Sequence, residues 1–184
     1  SRRVGGDYPV IGWVEGVLAE LADLRGVSEV MIDLADEEDY LKDTMDFIFA
    51  GQCRFAKAQV DAGADFIGVG NAVASLVGPA LYEEFAVEYD RRLVEYIHGL
   101  GAKVKLHICG NTTAILPLIR DRVKPDIMDV DWMVDFEKAV QVFAGSRTAV
   151  NGNMDPVNVM LKGDEKTLRA AVGHCIAVSG ANTC

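Results

Sequence analysis

Apolar positions along the chain follow two alternating rhythms. Short β-branched runs at residues 9–14, 65–69, 103–108, 127–130 and 147–151 predict strands, and a further one starts at Ala181. Between them, apolar residues recur at helical spacing over 37–62, 79–100, 113–120, 135–143 and 165–178. The stripe Phe85, Tyr89, Leu93, Tyr96 and Ile97 marks a core-facing helix side. Pro79 suits a helix first turn, and Gly63 and Gly101 stand where helix ends call for a left-handed residue.

Strands with nearly continuous apolar interiors, alternating with helices, imply a parallel α/β sheet covered on both faces. Five or six such units fit an open doubly wound sheet or part of an eight-stranded barrel. A complete barrel takes about 250 residues, so a chain of 184 fits a piece of one. The chain begins without Met and stops as a strand starts, so one domain over 1–184, truncated at both ends, is expected. Gly68-Val69-Gly70 opens like a dinucleotide fingerprint, but Val73 takes the third glycine position. The two glycines are therefore expected to ease a tight strand exit.

Half the residues are apolar and a quarter charged, which excludes disordered, collagen-like and disulfide-dense classes. Eighteen Lys and Arg against 28 Asp and Glu leave a net charge of -10. That charge repels phosphate backbones and anionic bilayers, so neither nucleic acid nor membrane is an expected partner. Asp33, Asp36, Glu37, Glu38, Asp39, Asp43 and Asp46 crowd one stretch with only Lys42 opposing, and read as a solvated helix start favoured by the helix dipole. No apolar run nears the roughly 18–20 residues that span a bilayer. The polar start SRRVGGDYPV is no secretory signal, so a cytoplasmic location is expected. Cys53, Cys109, Cys175 and Cys184 form no CxxC pair, which argues against structural disulfides. Cys53 and Cys175 read as core thiols, and His98 and His174 as surface or satisfied histidines.

The informative segment is Lys103-Val-Lys-Leu-His-Ile-Cys-Gly110. Residues two apart on a strand share a face, so His107 and Cys109 present imidazole and thiol side by side. That is a zinc-type donor pair, placed at a strand's C-terminal end where α/β folds put their sites. A buried histidine beside an inert core cysteine is the competing reading. Polar groups at the other strand ends favour a shared pocket: Glu15, Asn71, Asp129, Asp131, Asn151, Asn153 and Asp155. Asn153, Asp155 and Pro156 also suit a plain turn and helix cap. Trp13 and Trp132 read as pocket walls or core.

At these residues the chain resembles the uroporphyrinogen decarboxylase superfamily. The resemblance is carried by Gly12-Trp-Val-Glu-Gly16, Ala22-Asp-Leu-Arg-Gly26, Ala62-Gly-Ala-Asp65, His107-Ile-Cys-Gly-Asn-Thr-Thr113 and Gly152-Asn-Met-Asp-Pro156. It implies a (β/α)8 TIM barrel, of which this chain covers the last five to six units. The His-x-Cys-Gly-Asn-Thr-Thr segment is similar to the methylcobamide-dependent methyltransferase branch, which moves methyl between a corrinoid protein and a thiol or related acceptor. The resemblance then implies zinc held by His107, Cys109 and a later cysteine. Cys184 stands at the start of the last strand instead of after a Gly-rich turn at its end, so the third ligand is expected beyond it. On this basis Glu15 is the expected catalytic carboxylate, and Asn71, Asn153 and Asp155 are expected to bind substrate. Methylcobamide would arrive on a corrinoid partner protein, and a homodimer is a further expected assembly. The rival readings are a metal-free porphyrinogen decarboxylase and a non-catalytic corrinoid-protein docking module.

Overall fold

The structure is a computed structural model and describes residues 6–36 and 39–179. Five strands, β1 (Ile11–Glu15), β2 (Phe66–Gly70), β3 (Lys103–Ile108), β4 (Ile127–Val130) and β5 (Ala149–Asn151), form one parallel sheet in the order β1-β2-β3-β4-β5. The start at Ala181 and Cys184 lie outside the described residues.

Strand order equal to chain order means that every crossover moves one step in one direction. A doubly wound sheet reverses direction and covers both faces; this sheet does neither. Val14, Ile67, Val69, Val104, Leu106, Ile108, Met128, Val130 and Val150 point to one face and are buried under the helices. At about 1.5–3 kcal/mol for each large apolar side chain fully buried, this face anchors the sheet. The opposite face carries Trp13, Lys105, His107, Asp129 and Asn151, all partly or well exposed. Among the described residues helices cover one face only: the sheet is an arc of barrel wall, helices outside and a polar concave surface inside.

The helices are α1 (Val17–Arg25), α2 (Val27–Ala35), α3 (Tyr40–Asp61), α4 (Gly78–Leu81), α5 (Val87–Gly99), α6 (Leu116–Leu118), α7 (Phe136–Phe143) and α8 (Glu165–Val178). The pair α1 and α2, joined at Gly26 with φ 99°, was not anticipated. The expected helix at 79–100 is interrupted by a π-helical segment at Tyr82–Ala86, and the one at 113–120 becomes α6 followed by a π segment at Ile119–Val123. Gly63 and Gly101 do adopt the left-handed region, at φ 99° and 84°. Tyr89, Leu93 and Ile97 of the expected stripe are buried, with Phe85 and Tyr96 packed against them.

The acidic stretch is only partly a solvated face. Asp33 is buried at the end of α2, where it accepts from Tyr40 Oη and from Arg25 Nε at 3.1 Å, so it ties α1, α2 and α3 together. These contacts, Tyr40 foremost, hold its carboxyl below the usual range despite desolvation. Asp46 accepts from Tyr89 Oη at 3.1 Å. Cys53 is buried, and burial pushes its thiol up to about 11. His98 Nε2 meets Asp126 Oδ2 at 2.8 Å, as expected of a satisfied surface histidine. No helix among the described residues is long and apolar enough to cross a membrane.

A second buried acid lies behind the sheet. Asp90 on α5 accepts from Asn71 Nδ2 at 3.0 and 2.9 Å and from Tyr82 Oη at 2.9 Å. Burial outweighs these hydrogen bonds and pushes the carboxyl up to about 6. A carboxyl with a raised folded pKa binds more protons folded than unfolded between about pH 4 and pH 6, so stability falls as pH rises through that window. The expected difference is on the order of 3 kcal/mol, from two pKa units at about 1.4 kcal/mol each. Urea titrations at pH 4 to 7 should show this slope in the wild type and its loss in Asp90→Asn; parallel profiles in the two proteins would refute it.

Candidate functional site at the strand ends

One register row crosses the entire sheet. Glu15 pairs with Gly70, Gly70 with His107, His107 with Asp129, and Asp129 with Asn151. All five residues therefore lie at one height, at the C-terminal ends, facing the concave side. Adjacent strands are about 4.8 Å apart, so Glu15 sits about 10 Å from His107, with a glycine between them.

His107 Nε2 lies 3.1 Å from Cys109 Sγ. On the other side of the ring, Nδ1 approaches Asp129 Oδ2 at 3.1 Å. That approach meets the distance of an ion pair but not the geometry of a hydrogen bond, which leaves Nδ1 without an aligned partner. Asp129 is also 3.1 Å from Lys105 Nζ through the same oxygen, and its other oxygen accepts from Asn151 Nδ2. Burial alone would raise the Asp129 carboxyl, but His107, Lys105 and Asn151 together hold it below the usual range. The Asp129 carboxylate in turn raises His107. Cys109 is raised by partial burial and then by the negative charges of Asp131, Asp129 and Glu15. Both groups thus sit in surroundings that favour positive charge.

The spacing of this donor pair fits a zinc-type cation. Tetrahedral zinc bonds to nitrogen and sulfur imply a donor separation of about 3.5 Å, close to the 3.1 Å observed. A carboxylate behind the second ring nitrogen is the usual outer partner of a metal-bound imidazole. Among the described residues no cluster of three or more His, Cys, Asp or Glu side chains is spaced to hold a metal, so His107 and Cys109 stand as two donors without a third beside them.

The remaining candidates divide. Glu15 is partly exposed on the concave face and accepts from Trp13 Nε1 at 2.8 Å. Asn153 donates to the carbonyl oxygens of Asp131 and Val134, at 3.1 and 2.5 Å, and so ties the loop after β5 to the one after β4. Asp155 accepts from the main-chain N–H groups of Val157 and Asn158, both at 2.8 Å, and from Asn158 Nδ2 at 2.7 Å, as a helix cap. Asn71 is wholly buried beneath the strand ends and does not reach the concave surface with its side chain.

Gly68 and Gly70 serve a purpose other than a tight exit. A Cβ at Gly68 would fall 2.2 Å from Trp13 Cε3, and one at Gly70 would fall 2.6 Å from Glu15 Oε2 and 2.9 Å from Trp13 Cζ2. The indole occupies the space that the two glycines leave beside β2, and from there its N–H donates to Glu15. The sequence also gave no role to Lys105 and no pairing to Asp129. Period-two reading of β3 places Lys105 on the His107 face, but which β4 residue stands opposite depends on register.

A parallel barrel-wall arc with a nitrogen–sulfur donor pair at the C-terminal strand ends places that pair where (β/α)8 barrels carry their sites. The chain belongs to the uroporphyrinogen decarboxylase family, whose sequence model matches residues 1–183. It is 32% identical over 173 residues to a methylcobamide:CoM methyltransferase, MtbA, of Methanosarcina mazei, covering 93% of this chain and 50% of that protein. It is also 31% identical over 186 residues to a uroporphyrinogen decarboxylase of Gloeobacter violaceus, covering 97% of this chain and 52% of the relative. A solved methyltransferase from Methanosarcina mazei superposes with a TM-score of 0.89 at 25% identity, covering 99% of this chain and 53% of that one. The chain spans about half the length of these relatives, and its fold is part of a (β/α)8 barrel.

Alanine at Gly68 should displace the Trp13 indole and release Glu15. In a Trp132→Phe background Trp13 is the sole tryptophan. There, Gly68→Ala should shift its emission to the red and cost about 1–3 kcal/mol of stability by overpacking. Replacing a strand glycine with alanine otherwise stabilises, so an unshifted spectrum with a gain in stability would contradict the packing.

Proposed function

We propose that the chain is the site-bearing part of an enzyme that moves a methyl group from a corrinoid carried by a partner protein to a thiol acceptor, with His107 and Cys109 as two ligands of a zinc ion. The observation that carries this reading is the 3.1 Å contact between His107 Nε2 and Cys109 Sγ at the open mouth, with Asp129 behind the ring. The names of the methylcobamide:CoM methyltransferase relatives support the methyl-transfer half of it.

Zinc bound there would keep an acceptor thiol as its reactive thiolate at neutral pH. The protein's part is positioning. Asp129, held by Lys105 and Asn151, sets a carboxylate 3.1 Å from Nδ1 on one side of the imidazole while Nε2 faces Cys109 on the other. Glu15, held by Trp13 Nε1, is the carboxylate on the same row that accepts the acceptor's thiol proton. Asn153 and Asp155 shape the adjoining rim. The net transfer would join methyl to the acceptor sulfur through a sulfur lone pair while the donor gives up the methyl and keeps the pair that had bonded it.

In full-length protein, His107→Ala and Cys109→Ala should each abolish stoichiometric zinc and methyl transfer to thiol. Asp129→Asn should keep the ligands but weaken zinc binding about 10–100-fold, the usual effect of losing such an outer partner. Elemental analysis and a chelator competition measure both. Unchanged zinc in both alanine variants would refute the ligand assignment, and release of carbon dioxide from uroporphyrinogen without any corrinoid would favour the decarboxylase reading.

A further inference from the structure

We infer that Asn71, Asp90 and Tyr82 form a buried clamp that positions His107 and Cys109, acting through the backbone at the β2 and β3 exits without touching metal or substrate. The inference rests on reading these two residues as metal ligands, and it assigns Asn71 a different task from substrate binding.

Asn71 connects the clamp to the site. Its main-chain N–H donates to the His107 carbonyl at 2.9 Å, while its side-chain amide donates to both oxygens of Asp90 on α5. Tyr82 Oη donates to the same carboxylate at 2.9 Å. Tyr82 is fully enclosed, and Asp90 and Asn71 are 2% and 0% exposed, so water does not compete for these bonds. Asn71 adopts an irregular backbone, φ -134° and ψ 57°, as it opens the 3-10 turn Ala72–Ser75. Fixing its side chain therefore fixes the direction of the N–H that grips β3.

The same turn reaches the other ligand. Gly110, which follows Cys109 at φ 88°, packs against Ser75, whose Oγ would be 2.9 Å from a Cβ placed there. The turn thus brackets the pair, hydrogen-bonded to His107 at one end and packed beside Cys109 at the other. On the β1 side, Gly16 donates to the Gly70 carbonyl at 2.6 Å, and a Cβ at Gly16 would fall 2.8 Å from Asn71 Cγ.

Packing alone does not call for this arrangement. Replacing a buried charged group with a well-packed apolar one is often neutral or stabilising. A carboxylate at position 90 fixes an angle and a distance that an apolar residue would leave loose.

The test exchanges the two partners. Asn71→Asp sets one carboxylate against another, Asp90→Asn sets one amide against another, and the double variant restores one of each. In metal-free protein, long-range nitrogen correlations of the His107 ring should shift in both single variants and return in the double variant. Zinc affinity, by chelator competition, should fall about 10–100-fold in the single variants and recover to within a few-fold in the double. Single variants that lose melting temperature but keep wild-type ring signals and zinc affinity would overturn the clamp. Should a single variant fail to fold, Tyr82→Phe, which removes one hydrogen bond, and the exchanged pair carry the comparison under the same two outcomes. A wild-type protein that takes no zinc would refute the metal reading, while the ring signals would still decide the clamp.

Discussion

Everything at the mouth depends on the register of five parallel strands. Successive side chains on a strand point to opposite faces, so a slip of one residue would exchange the faces. Leu106 and Ile108 are fully buried against the helices, and that burial turns Lys105 and His107 to the concave side. The same holds next door, where Met128 and Val130 are buried and Asp129 faces His107 across the ladder. Helix packing outside the arc thus determines which groups meet inside it. No side chain at the site supplies much of the energy that places it there.

The strands and the His107–Cys109 pair were legible because period two is a local property. What was not legible is relational. The sheet order, and hence the curved wall with helices on one side, depends on the direction of successive crossovers, which strand composition does not record. α1 and α2 were missed because Gly16 and Gly26 bound two helices of only nine residues each, too short to stand out by periodicity. Asp33 belongs to the acidic stretch by sequence and to the interior by its partners Arg25 and Tyr40. Gly68 and Gly70 suggested a turn because the ring that fills their space comes from β1, more than fifty residues earlier. Asp90 did leave a signal. It occupies the buried stripe of α5 together with Val87, Leu93, Val94 and Ile97, and an acid at such a position needs a partner.

Asp129 and Asp90 show how the fold uses one functional group in two ways. Both carboxyls lose hydration, and their pKa values move apart because their partners differ. Asp129 meets Lys105 and His107, two groups that carry or can take positive charge, and it stays ionised at the open face. Asp90 meets only neutral donors, Tyr82 and Asn71, and is pushed up to about 6. A carboxylate that must act on a neighbour through its field needs the first environment. One that must hold a neighbour's orientation works in the second, since a hydroxyl and an amide are held by hydrogen-bond geometry more than by charge. Lys105 is then best understood through Asp129: its ammonium keeps that carboxylate charged beside an imidazole, so the electrostatics of the mouth are set one layer below the residues that would meet a substrate.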